Sequence, residues 1–468
     1  MKKRFNTIVL VVSIISAFVV GFCSATGIFV WRTVNVSNSS SKSADFQRFN
    51  TVYNNINQGY YKKVDREKLM DGAINGMLAS LDDPYTQYID ASQMESFNNS
   101  ISGNVSGIGV VVALKQNQVT IDSVVADSPA QKAGLKIGDV IYKVDGKSTK
   151  NMTINKVTDM VKGQENTKVT ITIKRGTQEF DKTIVRKKLA VTSINYHVDP
   201  SKKDVGYIQI TEFTDHTAKD LKNALQELNK KKVSRVIIDL RSNPGGELDQ
   251  AILASSIFLK NGDTIVSTQE RSGKKVSYKA KSSDNGGYKF HKEVSLLVDG
   301  NTASAAEIFT AALNENIGSQ IIGSKTFGKG IVQSVVPVDA NSEMKFTSSK
   351  WLTPKDHWIH LKGIKPTISV KEDSLASLTF KDEKTYKLGD RSDDIEATQK
   401  ILKRLGSDVN EDGYFDGKTE AALKTYQQKN NLTADGKLTE KTKETLYYNL
   451  ADILRDKDVV YQKALNLK

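Results

Sequence analysis

Cysteine is all but missing: Cys23 is the single one among 468 residues. No disulfide can form within the chain, and no zinc site can be built from thiolates. Histidine is scarce as well, with five residues, His197, His216, His291, His357 and His360. His357 and His360 lie three apart in the strand-like run "HWIH", where a structural pair and a metal-ligand pair both stay open. Acid is outweighed by base, 54 residues against 67, for a net charge of +13. Such a surface suits an anionic partner. No nucleic-acid motif is present and the lysines are scattered, so nucleic acid is not expected. A disordered chain is excluded, since 38% of residues are hydrophobic and 26% charged.

Against these absences stands one long apolar run. Lys2, Lys3 and Arg4 precede residues 8–31, which carry no charge up to Trp31. At 1.5 Å per residue this crosses a bilayer core of about 30 Å, and the basic flank stays in the cytoplasm. A cleavable signal has a shorter core of about 7–15 residues. Phe22 stands before Cys23 where a lipoprotein signal has a small residue. The expectation is a single-pass anchor over residues 1–34 in the cytoplasmic membrane, with the rest of the chain outside the cytoplasm.

The remainder reads as a multidomain α/β chain. A Ser/Asn-rich linker leads to a helical region, 44–100, whose second helix has Leu69, Met70, Ile74, Met77, Leu78 and Leu81 at helical spacing and ends at "DDPYTQYI". Residues 103–190 are β-rich: "GIGVVVAL" and "QVTIDSV", a short Pro-Ala helix start in "SPAQKAGLKIGDVIYKVDG", the amphipathic "INKVTDMVKG" and the alternating "KVTITIKR". This order resembles a PDZ domain, with Gly107, Ile108, Gly109 and Val110 as the loop whose amides hold a C-terminal carboxylate while the peptide adds as a strand. Residues 192–372 alternate strands ("VGYIQI", "RVIIDL", "EVSLLVD", "SQIIGS") with helices ("HTAKDLKNALQELNKK", "LDQAILASSIFL", "SAAEIFTAALNEN"), the mark of an α/β sheet.

Residues 385–449, followed by a tail over 450–468, resemble the small three-helix peptidoglycan-binding domain. The resemblance rests on Leu388-Gly389, Gln399, Leu402, Gly406, Asp412-Gly413, Phe415, Thr419, Ala422, Tyr426-Gln427, Asp435-Gly436 and Thr442. Asp408, Asn410, Asp412 and Gly413 also match the first half of a calcium loop. The twelfth position is Thr419 where a bidentate glutamate is needed, so no metal is expected.

Ser304 lies in Thr302-Ala303-Ser304-Ala305-Ala306, without the glycines of a Gly-x-Ser-x-Gly elbow and with no histidine close in sequence. A lysine can replace histidine as base if burial lowers its pKa. Lys329, between Gly328 and Gly330 and ahead of Ile331-Val332, suits that role. Ser304 at a helix start meets free amides and a favourable dipole. Taken locally, a helix-capping serine and a solvated turn lysine remain open.

The wider pattern resembles the carboxy-terminal processing (tail-specific) serine proteases. The matching segments are "GAINGMLASLDDPYTQYI", "DLRSNPGGEL", Thr302 to Glu307, Gly323, Thr326-Phe327-Gly328-Lys329-Gly330 and Gln333. The resemblance implies that Ser304 is the nucleophile, Lys329 the general base and Gln333 its orienting partner. It gives the oxyanion hole to the amides of Ala305 and of Gly245 or Gly246. It implies a Ser-Lys endopeptidase that needs no cofactor or metal and acts on proteins with exposed C-termini, with the PDZ unit recruiting substrate or gating the site. Cell wall and cytoplasmic membrane are the other expected partners, and a homo-oligomer is compatible with the sequence. Thr367 departs from the family, which often has aspartate there. A non-catalytic scaffold joining PDZ recognition to wall binding is the alternative reading.

Overall fold

The computed structural model describes residues 44–467 apart from 126, 191, 372, 377 and 457. The apolar run over 8–31 and its expected anchor lie outside the described residues. Among the described residues no helix is long and apolar enough to cross a membrane. The chain divides into two compact units after Ala73. In the first, helix Ala44–Gly59 buries none of its residues. The helix Arg66–Ala79 spans the division.

In the second unit, helix Ala91–Ser102 is capped by the Asp90 carboxylate on the amides of Ser92 and Gln93. The β-rich unit follows as an antiparallel sheet in the order Val110–Lys115, Gln118–Val124, Val140–Val144, Lys168–Arg175, Gln178–Val185. Its inward residues, Ile121, Ile171, Ile173 and Val157, are fully buried. Asp145 and Gly146 both take positive φ, 46° and 76°, as the two-residue hairpin turn requires. Strand Val110–Lys115 is the sheet's edge, so its outer backbone groups are open to an added strand.

The α/β core is a six-stranded sheet ordered Ile194–Val198, Val205–Ile210, Arg235–Asp239, Glu293–Val298, Gln320–Gly323, Ile368–Ser369. The first pair is antiparallel and the rest parallel. Helices Thr217–Lys230, Leu248–Ser256 and Ala305–Ile317 pack Leu221, Leu225, Ala251, Phe309 and Leu313 on one face. Parallel strands must be covered on both faces. Val205, Ile237, Leu297 and Ile322 point to the other face, and helix Val459–Leu465 covers them with Val460, Ala464 and Leu465. An antiparallel second sheet, unforeseen in the sequence, joins Gln87–Ile89, Glu343–Leu352, Thr264–Glu270 and Lys275–Lys279, with Ile331–Pro337 as a hairpin partner of Glu343–Leu352.

Three helices, Asp393–Arg404, Gly417–Lys429 and Glu440–Asp456, enclose Ile395, Phe415, Leu423 and Leu446. Two buried glutamines clamp its Asp-Gly loops. Gln399 Oε1 accepts from the amides of Asp412 and Gly413, and Gln427 Oε1 from that of Gly436. The carboxylates of the calcium-like loop are occupied by protein donors: Asp408 pairs with Lys418, and Asp412 accepts from the Tyr414 amide. This unit meets the β-rich one. Glu444 accepts from the Ile154 amide at 2.6 Å, and Glu440 pairs with Lys156.

Candidate active site

Ser304 follows the carboxyl end of strand Glu293–Val298 and opens helix Ala305–Ile317. Its backbone is held at φ 54°, ψ −118°, a region that a side chain rarely takes. A capping serine would turn its hydroxyl onto the Glu307 amide. Here that amide donates to the Ser304 carbonyl at 2.8 Å, and the hydroxyl makes no capping bond. The turn is kept by Glu307, whose Oε2 accepts from the Ser304 amide at 2.9 Å.

Glu307 does more than cap. It is fully buried. Its carboxylate also accepts from the amides of Gly328 and Lys329, both at 2.8 Å, and from the Thr326 hydroxyl at 2.6 Å. One side chain thus binds both the serine turn and the lysine segment. Burial pushes its carboxyl above the ordinary range, while these four donors pull it back.

The lysine segment is fixed from its other side. The Lys329 carbonyl accepts from the Trp351 indole and the Gly330 carbonyl from that of Trp358, each at 2.8 Å. The sequence suggested a turn for Gly328 and Gly330; Gly328 does take φ 91°, and both glycines also allow a close approach. A Cβ on Gly328 would stand 2.7 Å from the Gly363 nitrogen, and one on Gly330 2.6 Å from that of His360.

The glycines of "NPGG" have the same cause. Gly245 has φ 107°, and a Cβ there would meet that of Ser304 at 2.7 Å. Gly246 has φ 128°, and its Cβ would meet the Phe213 carbonyl oxygen at 2.1 Å. The two amides differ. That of Gly245 donates to Asn243 Oδ1 at 2.8 Å. Gly246 forms a one-residue bridge to Phe213 through its neighbours' groups, Gly245 carbonyl and Glu247 amide. Its own amide is not used there.

Ser304, Ala305, Gly246, Lys329 and Gln333 line one cavity of about 280 Å³, walled by apolar groups such as Phe97, Ile101, Ile308 and Trp351. Lys345, Glu212 and Glu247 also face it. Burial holds the Lys329 amine below its ordinary range, and the Lys345 charge adds to this; Asp83 and Glu307 act in the opposite direction. Burial pushes up the carboxyls of Glu212 and Glu247. Lys329 Nζ stands 4.6 Å from the centre of the Tyr85 ring, a cation–π contact supplied by the "DDPYTQYI" turn. Gln333 sits at a bulge in its strand, and its side-chain nitrogen is buried without a hydrogen-bond partner among the described residues.

The remaining predicted residues lie elsewhere. Gly107 to Val110 join the strands Asn104–Gly107 and Val110–Lys115. Ile108 is buried, its carbonyl accepting from Ala130, and a Cβ on Gly109 would meet that of Ser128 at 2.3 Å. His357 pairs with Glu315, and His360 Nδ1 accepts from the Gly330 amide. Thr367 ties the sheet edge, accepting from the Ile321 amide.

Known protein families match this chain along most of its length. The model of peptidase family S41 matches residues 204–370, that of a PDZ domain residues 120–175, and that of a putative peptidoglycan binding domain residues 391–446. The activating protease CtpB N-terminal domain matches residues 30–93. The carboxy-terminal processing protease CtpA of Bacillus subtilis is 39% identical over 448 residues, covering 94% of this chain and 95% of that one. The chain belongs to the carboxy-terminal processing proteases of family S41. A probable CtpA-like serine protease of Staphylococcus saprophyticus is 37% identical over 466 residues, covering 99% of this chain and 93% of that one. Among solved structures, the photosystem II D1 C-terminal processing protease is 26% identical, covering 69% of this chain and 86% of that one, with a TM-score of 0.42.

For a serine protease of this family, Glu307 belongs to the matching motif without an assigned role; its signal is its place three residues after Ser304, the spacing of a capping box. Glu307→Gln keeps the size but turns an NH₂ towards donors. A kcat reduced by about 100-fold, the cost of misplacing reacting groups by an ångström, is expected with an unchanged circular dichroism spectrum. Near wild-type kcat would contradict it. Lys345→Met removes a like charge beside Lys329, so the Lys329 pKa should rise. The acid limb of kcat/KM against pH should then move to higher pH, and an unmoved or lowered limb would count against this.

Proposed function

We propose that this serine protease uses Ser304 as nucleophile and Lys329 as general base, with Gln333 orienting the lysine. The observation that carries the reading is the meeting of three features in one cavity: a strained serine at a helix start, a lysine whose pKa burial lowers, and a buried glutamine nitrogen with no partner among the described residues. Gln333 and Lys329 adjoin the same hairpin. A lysine leaving the Tyr85 face would bring its Nζ to the glutamine and the serine together. Uncharged, it would take the Ser304 proton as the oxygen attacks the peptide carbonyl. The amides of Gly246 and Ala305 then face the developing oxyanion, and Gly245, already bonded to Asn243, leaves that task to Gly246. The acyl-enzyme is released by water, with no metal or cofactor in any step.

The substrates in this reading are proteins with exposed C-termini, taken as an added strand along Val110–Lys115 with the carboxylate at Gly107 to Val110. The three-helix unit binds the cell wall. The run over residues 8–31 anchors the chain in the cytoplasmic membrane, so that catalysis takes place outside it.

Ser304→Ala and Lys329→Ala are each expected to abolish cleavage of a protein with an apolar C-terminus while the thermal transition persists. Full activity in either variant would sink the dyad. In the wild type, kcat/KM should climb as pH passes through the depressed Lys329 pKa, below the value of about 10.4 for a free lysine. The wall reading is tested by replacing residues 380–455 with a flexible linker, which keeps the strap at 458–467. Peptidase activity should remain and sedimentation with isolated cell wall should be lost; unchanged sedimentation would contradict wall binding.

A further inference from the structure

We infer that Asp458, the first residue of the strap at 458–467, is a positioning residue for the oxyanion turn, acting through Arg241. The inference rests on the oxyanion role proposed above for the "NPGG" turn. Two linked observations carry it.

The first is how the strap is held. Its helix, Val459–Leu465, buries Val460, Ala464 and Leu465 against the sheet face that no other helix covers among the described residues. Cations from the core bind the end of that helix. Arg235 donates to the carbonyls of Ala464 (3.1 Å) and Leu465 (2.6 Å), and Lys202 Nζ to that of Leu465 (2.8 Å) and to Asn466 Oδ1 (3.0 Å). Positive charge there complements the helix dipole. The Tyr461 hydroxyl donates to Asp199 at 2.6 Å.

The second is where the strap begins. Asp458 takes two bonds from the Arg241 guanidinium, 2.9 Å from Nη1 and 2.6 Å from Nη2. Nε and Nη2 of Arg241 bind Asp239 at 3.0 and 2.6 Å, and Asp239 also accepts from the Tyr207 hydroxyl at 2.8 Å. The Arg241 side chain is only 22% exposed. Nη1 has Asp458 as its partner, so loss of that carboxylate leaves a largely buried cationic donor unpaired. Arg241 stands at the entry to the turn that carries Gly245 and Gly246. Beyond it, Ser242 takes φ 58° with its amide on both Asp299 oxygens, and Asn243 spans the Ile210 carbonyl and the Gly245 amide. The clamp therefore sets where the turn starts, and the turn sets where the Gly246 amide points.

The test uses the full chain with Asp458→Asn, Asp458→Glu and Tyr461→Phe, and two readouts. One is kcat and KM on a peptide substrate. The other is the affinity of a peptide boronic acid, whose tetrahedral adduct on Ser304 places an oxygen in the oxyanion hole. For Asp458→Asn, kcat should fall by about tenfold or more, as displaced catalytic groups require, with KM unchanged and the boronate affinity reduced by the same factor. Asp458→Glu should restore most of it. Tyr461→Phe, which loosens the strap away from Arg241, should lower Tm and leave kcat unchanged. Wild-type kcat and boronate affinity in Asp458→Asn, or an equal loss in Tyr461→Phe, would overturn the inference. A wild-type enzyme that forms no boronate adduct would instead overturn the oxyanion reading on which it stands.

Discussion

The site depends on one buried carboxylate. Taking Glu307 out of water is costly unless its charge is met by donors. It is met by four, the amides of Ser304, Gly328 and Lys329 and the Thr326 hydroxyl. Hydrogen bonds to a charged group contribute about 1.5–3 kcal/mol each, enough to hold Ser304 in a backbone conformation it would not choose. Because the donors come from two segments more than twenty residues apart, the same bonds fix the distance between the serine and lysine backbones. The side chains keep their freedom. The Lys329 amine rests on the Tyr85 ring, and the Gln333 side-chain nitrogen has no partner among the described residues. The scaffold is thus set before the proton-transfer geometry is.

The sheet imposes the second constraint. Its central strands are apolar on both faces, and the second face is closed only when the chain returns after the three-helix unit. That unit is therefore an insertion between the edge strand Ile368–Ser369 and the strap, tethered at both ends. A cut from residue 387 onward would strip the peptidase sheet and release Arg241 from Asp458.

Much of this was legible in the sequence. The alternation of β runs and helical runs gave the α/β core, and the dense Gly, Gln and Asp-Gly positions gave the three-helix unit. Ser304, Lys329, Gln333, Gly246 and Ala305 do line one cavity. What could not be read were long-range partners. Nothing local tells that a glutamate at a capping position reaches across to residues 326–329, or that the glycines beside Lys329 make room for residues 359–363. The strap looks like a tail in the sequence, because seven helical residues carry little periodicity. The stronger clue lay elsewhere, in "RVIID" and "EVSLLV", where unbroken apolar runs demand two covers. The second sheet has no local signature, because its strands are partly polar and are paired across "DDPYTQYI" and the hairpin at 331–352, far apart in sequence.

The most direct test of the account is a crystal structure with Ser304 covalently modified by a peptidyl inhibitor that has an apolar residue at the scissile position. Lys329 Nζ should have left the Tyr85 ring and lie within about 3.2 Å of both Ser304 Oγ and the Gln333 side chain, with the four bonds to Glu307 intact. A modified Ser304 with Lys329 still on Tyr85 and Gln333 still unpartnered would contradict it.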